Sequence, residues 1–600
     1  MAEQFLNSWY RNSKMGYDPD TRKYVTLYPD TLIYTTKDTE TLETKLHIWE
    51  RPTIDFYVTK HHQPFHKISV PKSECIPIKV KYADRDKEIA QYFGKLDEFY
   101  NSKKNGSFYD FKKSLMSHPD LYLAEMNIED FWKTKCMIKN GEGCFASRYN
   151  MAFADIEVDI SNFTEDFPDS KVAPVPINIM TAIYAETKDL YTFILYDTRV
   201  ADTISWIVQN PDEFVRTCLD EDIRKAGFKF HFSVYKTELD LIKSFFEVMH
   251  YYKCDYLGFW NMNFDVPTIL NRLKRLGCKE SDIADIICHP DIPKKFRYVK
   301  YVEDPKRSMY EAGSLDGEDD DDSADDEQLS KNAKNKPHPS RLVDWVEAPG
   351  YTQIYDQLAT FSCLRKRTLY PSYKLDDIGE QFAGQKKLSL EDAGLNIKTA
   401  NIKDFKTFMA YNIRDVFVQY SIEMKQKDMW NNVIFSDNTR ISKAFNMSTL
   451  IANQLMLYLW KHDEIMGNTV TYHVPHEDLE GAIVGDPRLL EQEGIEVGGK
   501  SALVFNNSID LDYSSLYPSI IITSNIFKSA LFGRVVDVVK PSTTNPDGES
   551  LGKGEGLFEL LQTLDQGLFT ITKDYMGLPD PEEFIKSINE TAILKADGKL

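Results

Sequence analysis

Apolar positions along the chain recur with two periods, and the switch between them marks the elements. Short alternating stretches at Tyr24–Leu27, Lys45–Trp49 and Ile54–Val58 predict strands within residues 1–150, an α+β region. Phe153–Val158 reads as a strand on which Asp155 and Glu157, two apart, share a face. Pro176–Tyr184 and Tyr191–Tyr196 read as two more strands, joined by a turn at Glu186–Asp189 and opening an antiparallel sheet. Thr237 with Asp240 resembles a capping box, and Leu239, Ile242, Phe246 and Met249 fall on one face of the helix it opens. Tyr256–Trp260 predicts a buried strand. Asp265 follows at a strand-to-helix corner, with Pro267 opening a helix that stops at Gly277. Pro371–Ile378 begins another helix, and Phe405–Met424 is a long amphipathic one on which Tyr411 and Asp415 stack one turn apart. Further on, Ala502–Phe505 and Ile509 lead as an apolar strand into Asp512, followed by a turn fixed by Pro518.

Composition adds scale and excludes some classes. A chain of 600 residues, 42% hydrophobic and 13% aromatic, has the size and apolar content for several domains with real cores. The net charge of −21 excludes non-specific coating of DNA, although nine acids between Asp316 and Glu327 supply much of it. A local basic groove, or carboxylates that hold a cation, stays compatible with that charge. Residues 314–340 are of low complexity and read as a disordered acidic loop inside a domain. The eight cysteines form no C-x-x-C pair, which predicts reduced thiols in a cytoplasmic protein, without zinc knuckle or disulfide frame. No apolar run approaches the ~18 residues of a membrane span, and the first residues have no apolar signal core. Three histidines within Lys60–Lys67 read as a solvated or phosphate-facing surface rather than a metal site, since no carboxylate or cysteine sits at ligand spacing in sequence.

The acids carry the chemistry. Two carboxylates on one face of an apolar strand are costly unless protonated, paired or metal-bound. Taken singly, each has a plainer alternative: an exposed edge strand for Asp155 and Glu157, a helix cap for Asp265, a surface pair for Tyr411 and Asp415. Taken together, Asp155, Glu157, Asp265 and Asp415 could hold two Mg²⁺ ions roughly 4 Å apart. Tyr411 could orient an attacking water. That constellation predicts phosphodiester hydrolysis from a 3′ end.

Several strings carry a family resemblance. D-Y-S-S-L-Y-P-S at Asp512–Ser519 resembles the first polymerase motif of family B DNA polymerases, especially those of T4-like phages. D-I-E at Asp155–Glu157 and Y-x-x-x-D at Tyr411–Asp415 resemble the first and third motifs of the DEDD, Y-type proofreading exonuclease. Of its second motif, G-x-N-x-x-x-F-D, Gly258, Phe264 and Asp265 fit, while Trp260 stands where the family has Asn. P-S-Y-K-L-D-D-I from Pro371 resembles a segment between the second and third motifs. Leu479–Val484 resembles the linker motif Y-x-G-G/A, with Leu479 in place of its Tyr.

The resemblance implies an α/β and α+β multidomain fold. An N-terminal domain (1–150, completed by about 430–470) would lie beside a ribonuclease-H-like 3′–5′ exonuclease domain (151–430), followed by a partial palm (471–600). Asp155, Glu157, Asp265 and Asp415 would be metal ligands, Tyr411 catalytic and Phe264 a substrate contact. Asp512 would be one of two palm metal aspartates, Ser515, Leu516 and Tyr517 would line the nucleotide, and Tyr517 would gate against a 2′-OH. The implied cofactor is Mg²⁺. The implied partners are primer-template DNA and a single-stranded 3′ end, dNTP, replisome proteins and a complementing C-terminal polymerase chain. No K-x-x-x-N-S-x-Y-G and no D-T-D-S follows Asp512, so the 600 residues are expected not to synthesise DNA alone, as half of a split polymerase or a fragment. The alternatives are a non-catalytic DNA-binding assembly module and a stand-alone DEDD-type exonuclease.

Overall fold

The computed structural model describes residues 3–469 apart from 19–22, 64–65, 142–144, 165–166, 305–337, 366–369, 437 and 444, and beyond 469 only the strand segments 495–497, 500–502, 535–538 and 569–571. Asp512, Ser515, Leu516, Tyr517, Leu479 and most of the acidic stretch 314–340 lie outside the described residues. Residues 1–471 form one compact unit and 472–600 a second. In the second, Ile495–Val497 pairs with Lys500–Ala502, and Val535–Val538 with Phe569–Ile571, both antiparallel.

A six-stranded mixed sheet organises the first unit. Its strands are β1 (Met151–Val158), β2 (Ile177–Tyr184), β3 (Asp189–Leu195), β4 (Lys229–Tyr235), β5 (Tyr256–Phe259) and β6 (Gln353–Asp356), in the order β4-β3-β2-β1-β5-β6. β2 runs antiparallel to β1 and β3, whereas β4 is parallel to β3, β5 to β1 and β6 to β5. A mixed sheet whose second strand is the reversed one is consistent with a ribonuclease-H-like fold. The predicted hairpin pairs as expected, with Ile179 opposite Ile194, and its turn ends on Lys188 in a left-handed conformation (φ 58°).

Alternation along β1 sorts its side chains between two cores. Ala152, Ala154 and Ile156 pack with Leu241, Phe245 and Met249 of α1 (Glu238–Tyr252) and with Val266, Ile269 and Leu273 of α2 (Met262–Arg275). Phe153 points the other way and joins Phe408, Ile413 and Phe417 of α3 (Phe405–Gln426). The sheet is therefore the middle of three layers, and any residue at an odd position of β1 faces α3.

Each helix is fixed at an end by its own sequence. The Thr237 hydroxyl accepts the Asp240 N–H at 3.1 Å and starts α1, as the capping box predicts. The Asp404 carboxylate accepts the Thr407 N–H at 3.2 Å and starts α3, which ends on Lys427 in the left-handed region (φ 56°). α2 differs from expectation. It begins at Met262, so Pro267 lies inside it and Asp265 in its first turn, not at a corner before it. The carbonyl that Pro267 leaves without an amide partner, that of Asn263, accepts instead from the Ser170 hydroxyl at 3.4 Å. A buried ion pair, Arg272 Nη2 to Glu238 Oε2 at 2.6 Å, locks α2 against the start of α1. The segment predicted as helical from Pro371 turns helical only at Leu375.

Around this domain, Glu3–Arg11, Thr31–Asp38 and Thr44–Glu50 form an antiparallel sheet. A second sheet centres on Thr53–Thr59. Strand Glu464–Met466 pairs with Ser69–Pro71, and Met456 and Trp460 of the helix Met447–Lys461 pack on Tyr122 and Phe131. The histidine-rich loop is not a purely solvated surface. His66 is buried, and the His62 Nδ1 meets Asp120 Oδ2 at 2.8 Å, a carboxylate far away in sequence. Among the described residues no helix is long and apolar enough to cross a membrane.

Candidate functional site

Asp155 and Glu157 occupy odd positions of β1 after Phe153, so strand geometry alone turns them toward α3. Tyr411 and Asp415 are one turn apart on α3 and meet them there. One carboxylate oxygen from each of Asp155, Glu157 and Asp415 lies within 4.8 Å of the others. Asp265, 6% exposed, stands outside that trio, but the Asp155 and Glu157 charges both bear on it. Three acids from β1 and α3 thus meet in one place, and Asp265 of α2 is near enough to feel two of their charges.

Two residues that the sequence reading did not single out hold the cluster together. The Asn412 amide donates to Asp155 Oδ2 at 2.8 Å. Lys387 Nζ lies 2.5 Å from Asp415 Oδ2 and donates to the Tyr411 hydroxyl at 3.2 Å. Lys387 comes from a loop, and α3 itself grips that loop. Arg414 donates from Nε to the Lys386 carbonyl at 2.5 Å and from Nη2 to Gln385 Oε1 at 2.8 Å. The Lys387 N–H is held in turn by Asp376 Oδ1 at 2.7 Å. A cleft of about 630 Å³, lined among others by Asp220, Asp376, Lys387 and Arg414, opens beside this lysine.

Electrostatics follow from packing like charges together. Burial, then the Asp415 charge, pushes the Asp155 carboxyl up to about 8, against the pull of Lys387 and Asn412. Burial and then Asp155 and Asp415 raise Glu157 well above the usual carboxylate range. Asp265 is raised likewise by burial, Asp155, Glu157 and Asp356. Burial raises Asp415 despite the Lys387 ion pair. For Lys387, burial acts to lower the pKa, but the charges of Asp415 and Tyr411 outweigh it and the ammonium is stabilised. The Tyr411 hydroxyl is pushed up by burial and by Asp415.

The donor set fits a divalent cation. It consists of carboxylate oxygens only, the ligands of hard ions such as Mg²⁺ or Mn²⁺. Asp415 gives Oδ2 to Lys387, while its Oδ1 is buried without a hydrogen-bond partner. That oxygen is available to an ion without breaking the lysine contact. Asp155 and Glu157 keep part of their surface open to solvent, so the ion has a way in.

The remaining positions of the second motif are also placed. A Cβ on Gly258 would come within 2.8 Å of the Tyr355 ring and hydroxyl, so glycine is needed where β5 meets β6. Phe264 stacks obliquely on Phe167, ring centroids 4.9 Å apart, and Phe167 is exposed. Trp260 is buried among Phe361, Leu375, Ile378 and Val418, and its Nε1 donates to the Tyr373 carbonyl at 3.3 Å. It is a core residue in this chain. Its burial agrees with the reading of Tyr256–Trp260 as a buried strand, although the strand itself ends at Phe259.

No curated protein matches the chain. Residues 139–293, which include Asp155, Glu157 and Asp265, match the family model for the DNA polymerase family B exonuclease domain, and this part of the chain is thereby similar to a nuclease of the family B polymerase type.

Proposed function

We propose that residues 151–430 are a 3′→5′ proofreading exonuclease acting on single-stranded DNA ends, within a replicative family B DNA polymerase of the T4-like phage type. The observation that carries this reading is the meeting of Asp155, Glu157 and Asp415 within 4.8 Å, inside and beside the segment that matches the family B exonuclease domain. Bound Mg²⁺ at these oxygens would supply Lewis acidity at the scissile phosphate and at the attacking water. The chain's own groups do the rest. Asn412 fixes the orientation of Asp155. Lys387 holds Asp415 and the Tyr411 hydroxyl in one arrangement and offsets the surplus of negative charge. Tyr411 positions the water that attacks the terminal phosphodiester. Phe264 and Phe167 offer ring faces on which an unpaired base can stack.

Asp512, Ser515, Leu516 and Tyr517 are assigned to the polymerase half of the same protein on their sequence motif. Asp512 would serve as a metal aspartate for dNTP incorporation and Tyr517 as the sugar gate. Synthesis would need a second aspartate that these 600 residues do not supply in a D-T-D-S motif.

The test is digestion of 5′-labelled single-stranded DNA by the purified chain in Mg²⁺. Stepwise shortening from the 3′ end is expected, and Asp155→Ala with Glu157→Ala should abolish it. Undiminished hydrolysis by that double variant would overturn the assignment. Unimpaired DNA binding by the unmodified chain without Mg²⁺-dependent hydrolysis would point instead to a non-catalytic DNA-binding module.

A further inference from the structure

Beyond Asp415, the same helix carries a second buried polar group that the exonuclease reading does not use. Gln419 lies one turn past Asp415 and one turn before Glu423. It is fully buried (0% exposed), and neither its Oε1 nor its Nε2 has a hydrogen-bond partner. Gln357, just after β6, donates from Nε2 to the Gln419 carbonyl at 2.9 Å and leaves its Oε1 unpartnered. Glu423 accepts the Met429 N–H on Oε1 at 2.9 Å, and its Oε2 is unpartnered. Asp428 takes Arg365 Nη2 at 2.9 Å on Oδ1, and its Oδ2 is unpartnered. The Tyr355 hydroxyl, over Gly258, is buried without a partner, and after burial the Glu423 and Asp428 charges act on it most strongly.

Five side chains thus each hold an oxygen with no hydrogen-bond partner, and they are linked across the end of β6, α3 and the helix that follows it by the Gln357–Gln419 hydrogen bond and by the Glu423 and Asp428 charges on Tyr355. Buried polar atoms are almost always satisfied, and a group of them calls for a bound species. Charge narrows the choice. Two carboxylates, Glu423 and Asp428, face one guanidinium, Arg365; burial, then the Asp428 charge, pushes the Glu423 carboxyl up to about 8, so the pocket is neutral with that proton in place and carries one negative charge without it. A single positive charge balances that negative one, whereas a divalent ion would overshoot. Neutral amide and phenol oxygens are ordinary ligands for alkali ions.

We infer that Tyr355, Gln357, Gln419, Glu423 and Asp428 form a binding site for a monovalent cation, K⁺ or Na⁺. The site is independent of the metal ligands at Asp155, Glu157 and Asp415. It ties the end of β6 to the helix that carries Tyr411 and Asp415.

Thermal unfolding of the full chain tests this, with divalent ions removed by the tetramethylammonium salt of EDTA. Melting temperatures are compared in KCl, NaCl and tetramethylammonium chloride at equal ionic strength. One or both alkali salts should raise the Tm by roughly 2–4 °C, and Gln419→Leu should reduce that difference to about 1 °C or less. If Gln419→Leu fails to fold, Glu423→Gln, which keeps the shape and removes the surplus charge, should show the same loss of alkali dependence. Equal Tm in all three salts for the unmodified chain would overturn the inference in favour of a protonated Glu423 with buried water. So would stabilisation by Ca²⁺, but not K⁺ or Na⁺, in the Asp155→Ala, Glu157→Ala background.

Discussion

Lys387, half-buried, and the buried Asp415 form an ion pair, Nζ to Oδ2 at 2.5 Å, in which a loop lysine takes one oxygen of a carboxylate and leaves the other without a partner. The same ammonium reaches the Tyr411 hydroxyl at 3.2 Å. Lys387 also pulls down the pKa of Asp155, Glu157 and Asp265. Lys387→Met removes that pull, so all four acids bind protons more tightly. The exonuclease rate should fall about 10- to 100-fold, as when an outer-shell partner is lost. The acidic limb of its pH profile should move to higher pH. Lys387→Arg, which restores the charge, should move that limb back. A profile unchanged in Lys387→Met would show that the lysine only fills space.

Asn412 is the partner of Asp155, donating at 2.8 Å from a fully buried position. Asn412→Ala should leave the melting temperature nearly unchanged in Mg²⁺ but raise the Mg²⁺ concentration for half-maximal hydrolysis by about 10-fold. Titration of activity against Mg²⁺ at fixed DNA measures it. A drop in maximal rate with the same Mg²⁺ dependence would place Asn412 elsewhere in the reaction.

The raised acids also make stability depend on pH. Asp155 is held near 8 when folded, far above its unfolded value, so across that interval the folded chain binds more protons than the unfolded one. Stability contributed by the protonated carboxyl is complete below the unfolded value and is lost as pH rises toward 8. Without divalent ions the domain should therefore melt at progressively lower temperature as pH rises from about 5 to 8. A bound divalent cation displaces those protons, so the Tm gain from Mg²⁺ should grow over the same interval. Thermal shift with and without Mg²⁺ at pH 5.5, 7 and 8.5 decides it. A gain independent of pH would mean the acids are already ionised.

Part of this arrangement is written locally in the sequence. Asp155 and Glu157 share a face because a strand alternates, and Tyr411 and Asp415 stack because a helix turns every 3.6 residues. The capping residue Thr237 and the turn before β3 are local signals too. What the sequence hides is long-range. Lys387 sits in a loop with no periodicity, and the grip of Arg414 on Gln385 and Lys386, with Asp376 on the Lys387 N–H, brings it to Asp415. Asp120 reaches His62 from another strand connection, so ligand spacing along the chain said nothing of it. Pro267 read as a helix start because proline favours first positions, yet the Ser170 hydroxyl lets the helix begin earlier.

Trp260 is legible as a buried position at the end of an apolar run, whereas its partners, distant in sequence, are not. It is packed among Phe361, Leu375, Ile378 and Val418, not displayed to substrate. Trp260→Ala should destabilise the domain by about 3–5 kcal/mol. Trp260→Phe should cost much less, and kcat per folded molecule should be unchanged in both. Denaturant unfolding paired with active-site titration separates the two. A rate lost in Trp260→Phe at unaltered stability would restore a substrate role to the position.

A buried carboxylate beside β5 ties the N-terminal sheet to the six-stranded sheet. Asp255, at the start of β5, accepts from Lys37 Nζ at 2.7 Å, from Thr44 Oγ1 at 2.7 Å and from the Asn150 N–H at 2.7 Å. Lys37 and Asp255 are 3% and 0% exposed, so neither has water as a substitute partner. Removing one member of such a pair strands the other charge and costs about 3–5 kcal/mol. Replacing both by apolar residues of similar size costs far less. Lys37→Met alone and Asp255→Leu alone should each destabilise strongly, while the double variant should recover most of the loss. The coupling between them is read from denaturant unfolding as a double-mutant cycle. Additive losses would show that Thr44 and Asn150, rather than the ion pair, are what Asp255 serves.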